Sequence, residues 1–139
     1  MPRTPLRFLF IIMSHKIEYP SGDDTPRSHL PFSPAAVAGG LVFVSGQASV
    51  DATGKLVPGD FESEFRLSLE NLEKILKTAG SDFAHVVQTR NYVRDPANVP
   101  LFNRLYREYF SAPYPARTTI TNCLPPTMHF EIECVAMRK

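Results

Sequence analysis

The run Leu41-Val-Phe-Val-Ser-Gly-Gln47 carries apolar side chains at successive positions. Its β-branched and aromatic content, closed by a glycine, predicts a strand buried on both faces. The spacing then changes. Phe65, Leu69, Leu72 and Leu76 recur every three or four positions between Phe61 and Ala79, with Ile75 widening the stripe. That is the period of an amphipathic helix. Gly80 follows as the residue best suited to a left-handed C-terminal cap. Glu62 and Glu64 come early and Lys74 and Lys77 late, an order that suits the helix dipole and reads as a solvated face. Val86 to Arg94 alternates with strand period and stops at Asp95-Pro96. Val99, Phe102, Leu105, Tyr106, Tyr109 and Phe110 mark a second amphipathic helix, ended by Pro113 and Pro115. Ala116 to Thr121 and His129 to Met137 read as the last two strands.

Ahead of these elements, residues 20 to 34 are rich in Pro, Ser, Gly and Asp and read as loop. Leu30-Pro-Phe-Ser-Pro34 cannot be helical, because each proline drives its predecessor to extended backbone. Lys16 to Tyr19 is assigned the first strand, giving the order β, β, α, β, α, β, β. The expected fold is an α+β two-layer sandwich, one mixed sheet with two helices packed on one face. Two helices cover one face only, yet residues 42–44 and 130–137 carry apolar side chains on both. No further element is left over, so a second subunit is predicted to cover the open face.

The 139 residues suit one domain, taken as residues 16–139, preceded by an extension at 1–15 that does not pack with it. Within that extension, Leu6 to Met13 is broken by Arg7 and too short to span a bilayer, and no small-residue cleavage site follows. Met13 as the true start and a short organelle-targeting leader are both open readings. A net charge of +1 gives no general electrostatic reason to bind nucleic acid or an anionic membrane. The two cysteines form neither a disulfide framework nor a metal set, and the four histidines lack ligand spacing. Cys134 reads as a small core residue. No metal or cofactor is expected, and the cysteine usage suits a reducing compartment such as the cytoplasm.

Candidate chemistry lies on the late strands. Side chains alternate, so Arg117, Thr119 and Thr121 share one face of their strand. In the last strand Phe130, Ile132, Cys134 and Ala136 should meet the helices, sending Glu131 and Glu133 the other way. Arg117 and Glu131 are thus expected together on the face away from the helices, where the partner packs. A guanidinium there matches a substrate carboxylate bidentately. An Arg117 ion pair with Glu131 or Glu133 that only fixes the interface explains the same pattern.

Several ordered segments carry a resemblance: Phe32-Ser-Pro-Ala35, Gly40-Leu-Val-Phe-Val-Ser-Gly-Gln47, Asn71-Leu-Glu-Lys-Ile-Leu76, Ala79 to Val87, Phe102-Asn103, Tyr109-Phe110, Pro115-Ala-Arg-Thr-Thr119 and Glu131-Ile-Glu-Cys-Val-Ala136. Over residues 16 to 139 the chain resembles the Rid (YjgF) family. The resemblance implies a chorismate-mutase-like fold and a homotrimer with clefts between its subunits. It also implies cofactor-free hydrolysis of 2-aminoacrylate-type enamines and imines to 2-keto acids and ammonia. Arg117 then corresponds to the carboxylate clamp and Glu131 to the glutamate that orients the attacking water. Ser45, Asn103, Phe32 and Thr119 fall on cleft positions. Phe32 stands where family deaminases commonly have tyrosine, Thr119 where a cysteine is common, and Ile120 to Leu124 looks shorter than in familiar members. The alternatives are a deaminase for a larger unsaturated amino acid and a non-catalytic trimer that binds small carboxylates. RNA cleavage, attributed to some members, finds no basic aromatic surface here.

Overall fold

Gly39 and Gly40 adopt φ values of 58° and 79°, a backbone open to glycine at little cost, and turn strand β1 (Ala35–Ala38) back into β2 (Leu41–Gln47). The structure is a computed structural model that describes residues 16–139. Helix α1 spans Phe61–Thr78 and starts at Asp60, whose carboxylate accepts from the Ser63 amide at 2.8 Å. It ends as expected at Gly80, with φ 82°. The Gly80 amide donates to the Lys77 carbonyl and the Ser81 amide to that of Leu76, so both orphaned carbonyls find partners. Strand β3 (Val86–Val93), helix α2 (Val99–Tyr109), strand β4 (Ala116–Thr121) and strand β5 (Phe130–Met137) complete the domain.

The five strands lie in the order β1-β2-β5-β3-β4. Only β3 and β4 are parallel, and α2 is the crossover that joins them. The first strand differs from expectation. Within residues 16–19 Glu18 forms an isolated bridge to Val37 in place of a strand, and the true strand begins immediately after Pro34. The prolines stop there, so the backbone amides from Ala35 onward are free to join a ladder.

Both helices pack on one face of the sheet, as the pattern predicts. Phe65, Leu69, Leu72 and Leu76 of α1 and Phe102 of α2 meet Val42, Phe130 and Ile132 from the sheet, all fully buried. Each such side chain contributes roughly 1.5–3 kcal/mol. The opposite face is different. Leu41, Phe43, Ile120 and Met137 are 37–51% exposed. So β2 is buried on one face only within a single chain, and the apolar positions assigned to a second buried face stand open. Among the described residues no helix is long and apolar enough to cross a membrane. The readings made for residues 1–15 lie outside the described residues.

Candidate active site

The β3-α2-β4 crossover lays α2 over the strand pair that carries Arg117. Parallel register sets Arg117 beside Thr89 and Thr119 beside Asn91. The Arg117 guanidinium sits 5.1 Å from the Phe102 ring centroid and 4.9 Å from that of Tyr106. Such cation–π contacts contribute about 0.5–1 kcal/mol at an accessible site. Its Nη2 donates to Asn103 Oδ1 at 2.9 Å. Phe102, Asn103 and Tyr106 occupy neighbouring positions on one turn of α2, so a single helix supplies both the aromatic platform and the acceptor.

The platform is itself anchored. The Tyr106 hydroxyl shares a 2.9 Å hydrogen bond with Thr89 Oγ1, which accepts from Asn91 Nδ2 at 3.0 Å. Burial pushes the Tyr106 phenol up, so it stays neutral. Among the described residues no carboxylate pairs with Arg117. A cavity of about 260 Å³ lies beside it, lined by Asn103, Tyr106, Tyr114 and Pro115. Thr119 is close by in the same strand. Its hydroxyl and the facing Asn91 Oδ1 are buried side-chain oxygens with no hydrogen-bond partner among the described residues.

Glu131 stands elsewhere. Its neighbours Phe130 and Ile132 are fully buried against the helices, so its own side chain leaves the sheet on the open face. Burial, and then the negative charge of Glu133, raise its proton affinity above that of an ordinary carboxylate. The carboxylate lies against Gly46, where an added Cβ would overlap Glu131 Oε1. Ser45 donates from its hydroxyl to the Ser33 carbonyl at 2.6 Å and from its amide to the Pro34 carbonyl at 2.9 Å. These bonds tie β2 to the loop that presents Phe32. Phe32, Ser45, Gly46, Glu131 and Glu133 all line one cavity of about 520 Å³.

The six predicted residues therefore separate into two groups. Phe32, Ser45 and Glu131 share one cavity, Arg117 and Asn103 share another, and Thr119 lies on the strand of Arg117. The expectation that Arg117 and Glu131 share the face away from the helices is overturned. Arg117 is level with Thr89, which pairs with helix-facing Cys134, whereas Glu131 pairs with Tyr92. Ile120, which alternation sets on the face opposite Arg117, is 41% exposed on the open face. Among the described residues no ion pair joins Arg117 to Glu131 or Glu133 of the same chain. In the sequence Tyr106 and Phe102 read only as helix-face residues. Their spacing was visible, but their place under Arg117 depends on the parallel register. Gly46 belongs to the Ser-Gly-Gln motif, and its closeness to Glu131 depends on how β2 and β5 pair. Among the described residues no group of three or more His, Cys, Asp or Glu side chains could hold a metal ion.

A family model described as Endoribonuclease L-PSP matches residues 22–138. Reactive Intermediate Deaminase A, chloroplastic, from Arabidopsis thaliana is 38% identical over 125 residues, which cover 88% of this chain and 67% of that protein. The 2-iminobutanoate/2-iminopropanoate deaminase of Homo sapiens is 36% identical over 110 residues, covering 78% of this chain and 80% of that one. The crystal structure of YyfA from Yersinia pestis, described as a member of the conserved Rid protein family, superposes with a TM-score of 0.81 at 30% identity. That match covers 88% of this chain and 99% of YyfA.

Proposed function

This chain belongs to the Endoribonuclease L-PSP family, the Rid (YjgF) family that its motifs resemble, and we propose that it hydrolyses enamine and imine intermediates of the 2-aminoacrylate type to 2-keto acids and ammonia, without a cofactor. The observation that carries this reading is Arg117, a guanidinium without a carboxylate partner among the described residues, held on an aromatic platform beside a cavity. A planar fork of donors so placed suits the carboxylate of an amino-acid-derived imine. The names of the two deaminase relatives support the same chemistry.

Glu131 takes the second role. An imine carbon is already electrophilic, so water needs orientation more than strong activation. Glu131 takes a proton from the water as its oxygen adds to that carbon and passes that proton on to the imine nitrogen. The resulting carbinolamine then breaks its C–N bond, releasing ammonia and leaving the ketone. Ser45, Phe32, Asn103 and Thr119 shape the cleft around these two groups.

Arg117 and Glu131 serve one substrate only if they come from neighbouring copies. The assembly we propose is a homotrimer whose clefts each join the Arg117 side of one copy to the Glu131 side of the next. The exposed Leu41, Phe43, Ile120 and Met137 support it, because an apolar face of that kind is the usual mark of an interface. Light scattering is expected to give the mass of three chains. The domain would work in the cytoplasm or, with residues 1–12 as a leader, in an organelle, as the name of the Arabidopsis relative records for that protein.

Semicarbazide traps 2-aminoacrylate or iminopyruvate generated in situ by an amino-acid dehydratase or oxidase. Wild type is expected to suppress trapping and Arg117→Ala to leave it unchanged. If wild type leaves the trapping of every imine unchanged, the deaminase reading is lost and binding of 2-keto acids, read as a thermal shift, becomes the better account. The cavity beside Glu131, about 520 Å³ with Phe32 on its wall, favours one further reading, a larger unsaturated amino acid as substrate. Faster turnover of long imines than of iminopyruvate would select it.

A further inference from the structure

Glu133 lies directly opposite Arg90 in the β3–β5 ladder, the position from which an ion pair would form most simply. It forms none among the described residues. Its carboxylate instead accepts a hydrogen bond from the hydroxyl of Tyr92, the residue that sits opposite Glu131. Tyr92 thus draws Glu133 along the strand toward Glu131. Both carboxylates line the same cavity.

We propose that Tyr92 is a positioning residue acting through Glu133: its hydroxyl turns the Glu133 carboxylate away from Arg90 and toward Glu131, setting a fixed negative charge beside the water-orienting group. This rests on the role proposed above for Glu131. The Tyr92 phenol is pushed up to about 12, first by the bond to Glu133 and then by burial, so it remains a donor across the working pH range. The charge of Glu133 is the second cause, after burial, of the raised proton affinity of Glu131. A carboxylate that holds its proton more tightly is a better base once ionised.

Among the described residues the other charges facing Glu131 are few. Strand β3 contributes Arg90 beyond Tyr92, and the loop ahead of β1 contributes Arg27 at the cavity wall. Strand β2 offers Ser45 and Gly46, which do not titrate in the relevant range. A neighbouring copy in the proposed trimer adds Arg117. Tyr92 is the group among these that decides whether Glu133 leans toward Glu131 or toward Arg90.

The test is a carboxyl ¹³C NMR titration of Glu131 in wild type, Glu133→Gln and Tyr92→Phe, run beside the pH dependence of kcat/KM for imine hydrolysis. Glu133→Gln removes the negative charge, and Tyr92→Phe frees it to swing to Arg90. Both are expected to move the Glu131 midpoint, and the acid limb of kcat/KM, to lower pH. Both should lower the plateau kcat by roughly three- to tenfold with KM unchanged, as a weaker base requires. A Glu131 midpoint identical in all three proteins overturns the inference. A midpoint that moves in both variants, in a wild type that hydrolyses no imine, supports the arrangement and sinks the deaminase reading instead.

Discussion

Arg117 and Glu131 occupy contrasting places in one sheet. Arg117 is on the edge strand β4, exposed, with its charge resting on the Phe102 and Tyr106 rings and one hydrogen bond to Asn103. Glu131 is on the central strand β5, partly buried, pressed against Gly46 and next to a like charge. The difference suits the two roles proposed for these groups. A clamp has to stay charged while holding an anion, so it sits where its charge costs little and where rings rather than carboxylates support it. A group that accepts a proton gains from surroundings that make its charge less comfortable, which burial and Glu133 supply.

The largest expected effect of breaking this contrast is at Arg117. Arg117→Ala should lower kcat/KM by roughly 10²–10³-fold, the scale of losing a bidentate charge-assisted contact. Arg117→Lys keeps the charge but loses the fork, and steady-state trapping kinetics should show only a minor recovery. On the other side, Gly46→Ala should displace the Glu131 carboxylate while leaving the charges untouched. A fall in kcat of roughly tenfold or more at nearly constant KM is expected from misplacement of that kind. A KM effect larger than the kcat effect would mean that Gly46 acts on binding.

Tyr106→Phe keeps the ring under Arg117 but removes its tie to Thr89. Urea unfolding should show a loss of about 1 kcal/mol, typical of one buried hydrogen bond, with kcat/KM falling less than in the first two variants. The smallest effect is expected for Glu131→Gln on stability. Folded Glu131 holds its proton more tightly than the unfolded chain does, so its contribution favours folding in acid and is lost as pH rises through the carboxylate range. The variant should therefore melt slightly above wild type at neutral pH. That gap should close as pH falls below the ordinary glutamate value.

Helices α1 and α2 are legible in the sequence because each buries a stripe against its own chain, and spacing records that burial. Strand β1 is not, because Ala35-Ala-Val-Ala38 is short, small and directly behind a proline. The components of the candidate site could be read from motifs, and their grouping could not. Alternation relates residues within one strand, whereas the face shared by two strands depends on register. Ile120 shows how this misleads: an apolar residue on an edge strand can point toward another copy as readily as toward its own core. Tyr92 and Glu133 are far apart in the chain and meet only through the β3–β5 ladder, so no local pattern announces them.

In the proposed assembly, the departure of Arg117 and Glu131 from opposite faces has a consequence for mixtures. One copy carries two half-sites and no whole one, so turnover counts closed interfaces rather than chains. An inactive Arg117→Ala preparation and an inactive Glu131→Gln preparation, unfolded together and refolded, would complement each other. Random mixing would make about one cleft in four whole, drawing its guanidinium from one parent and its carboxylate from the other. Dilution would act like mutation, since a copy that leaves its neighbours takes half of two catalysts with it.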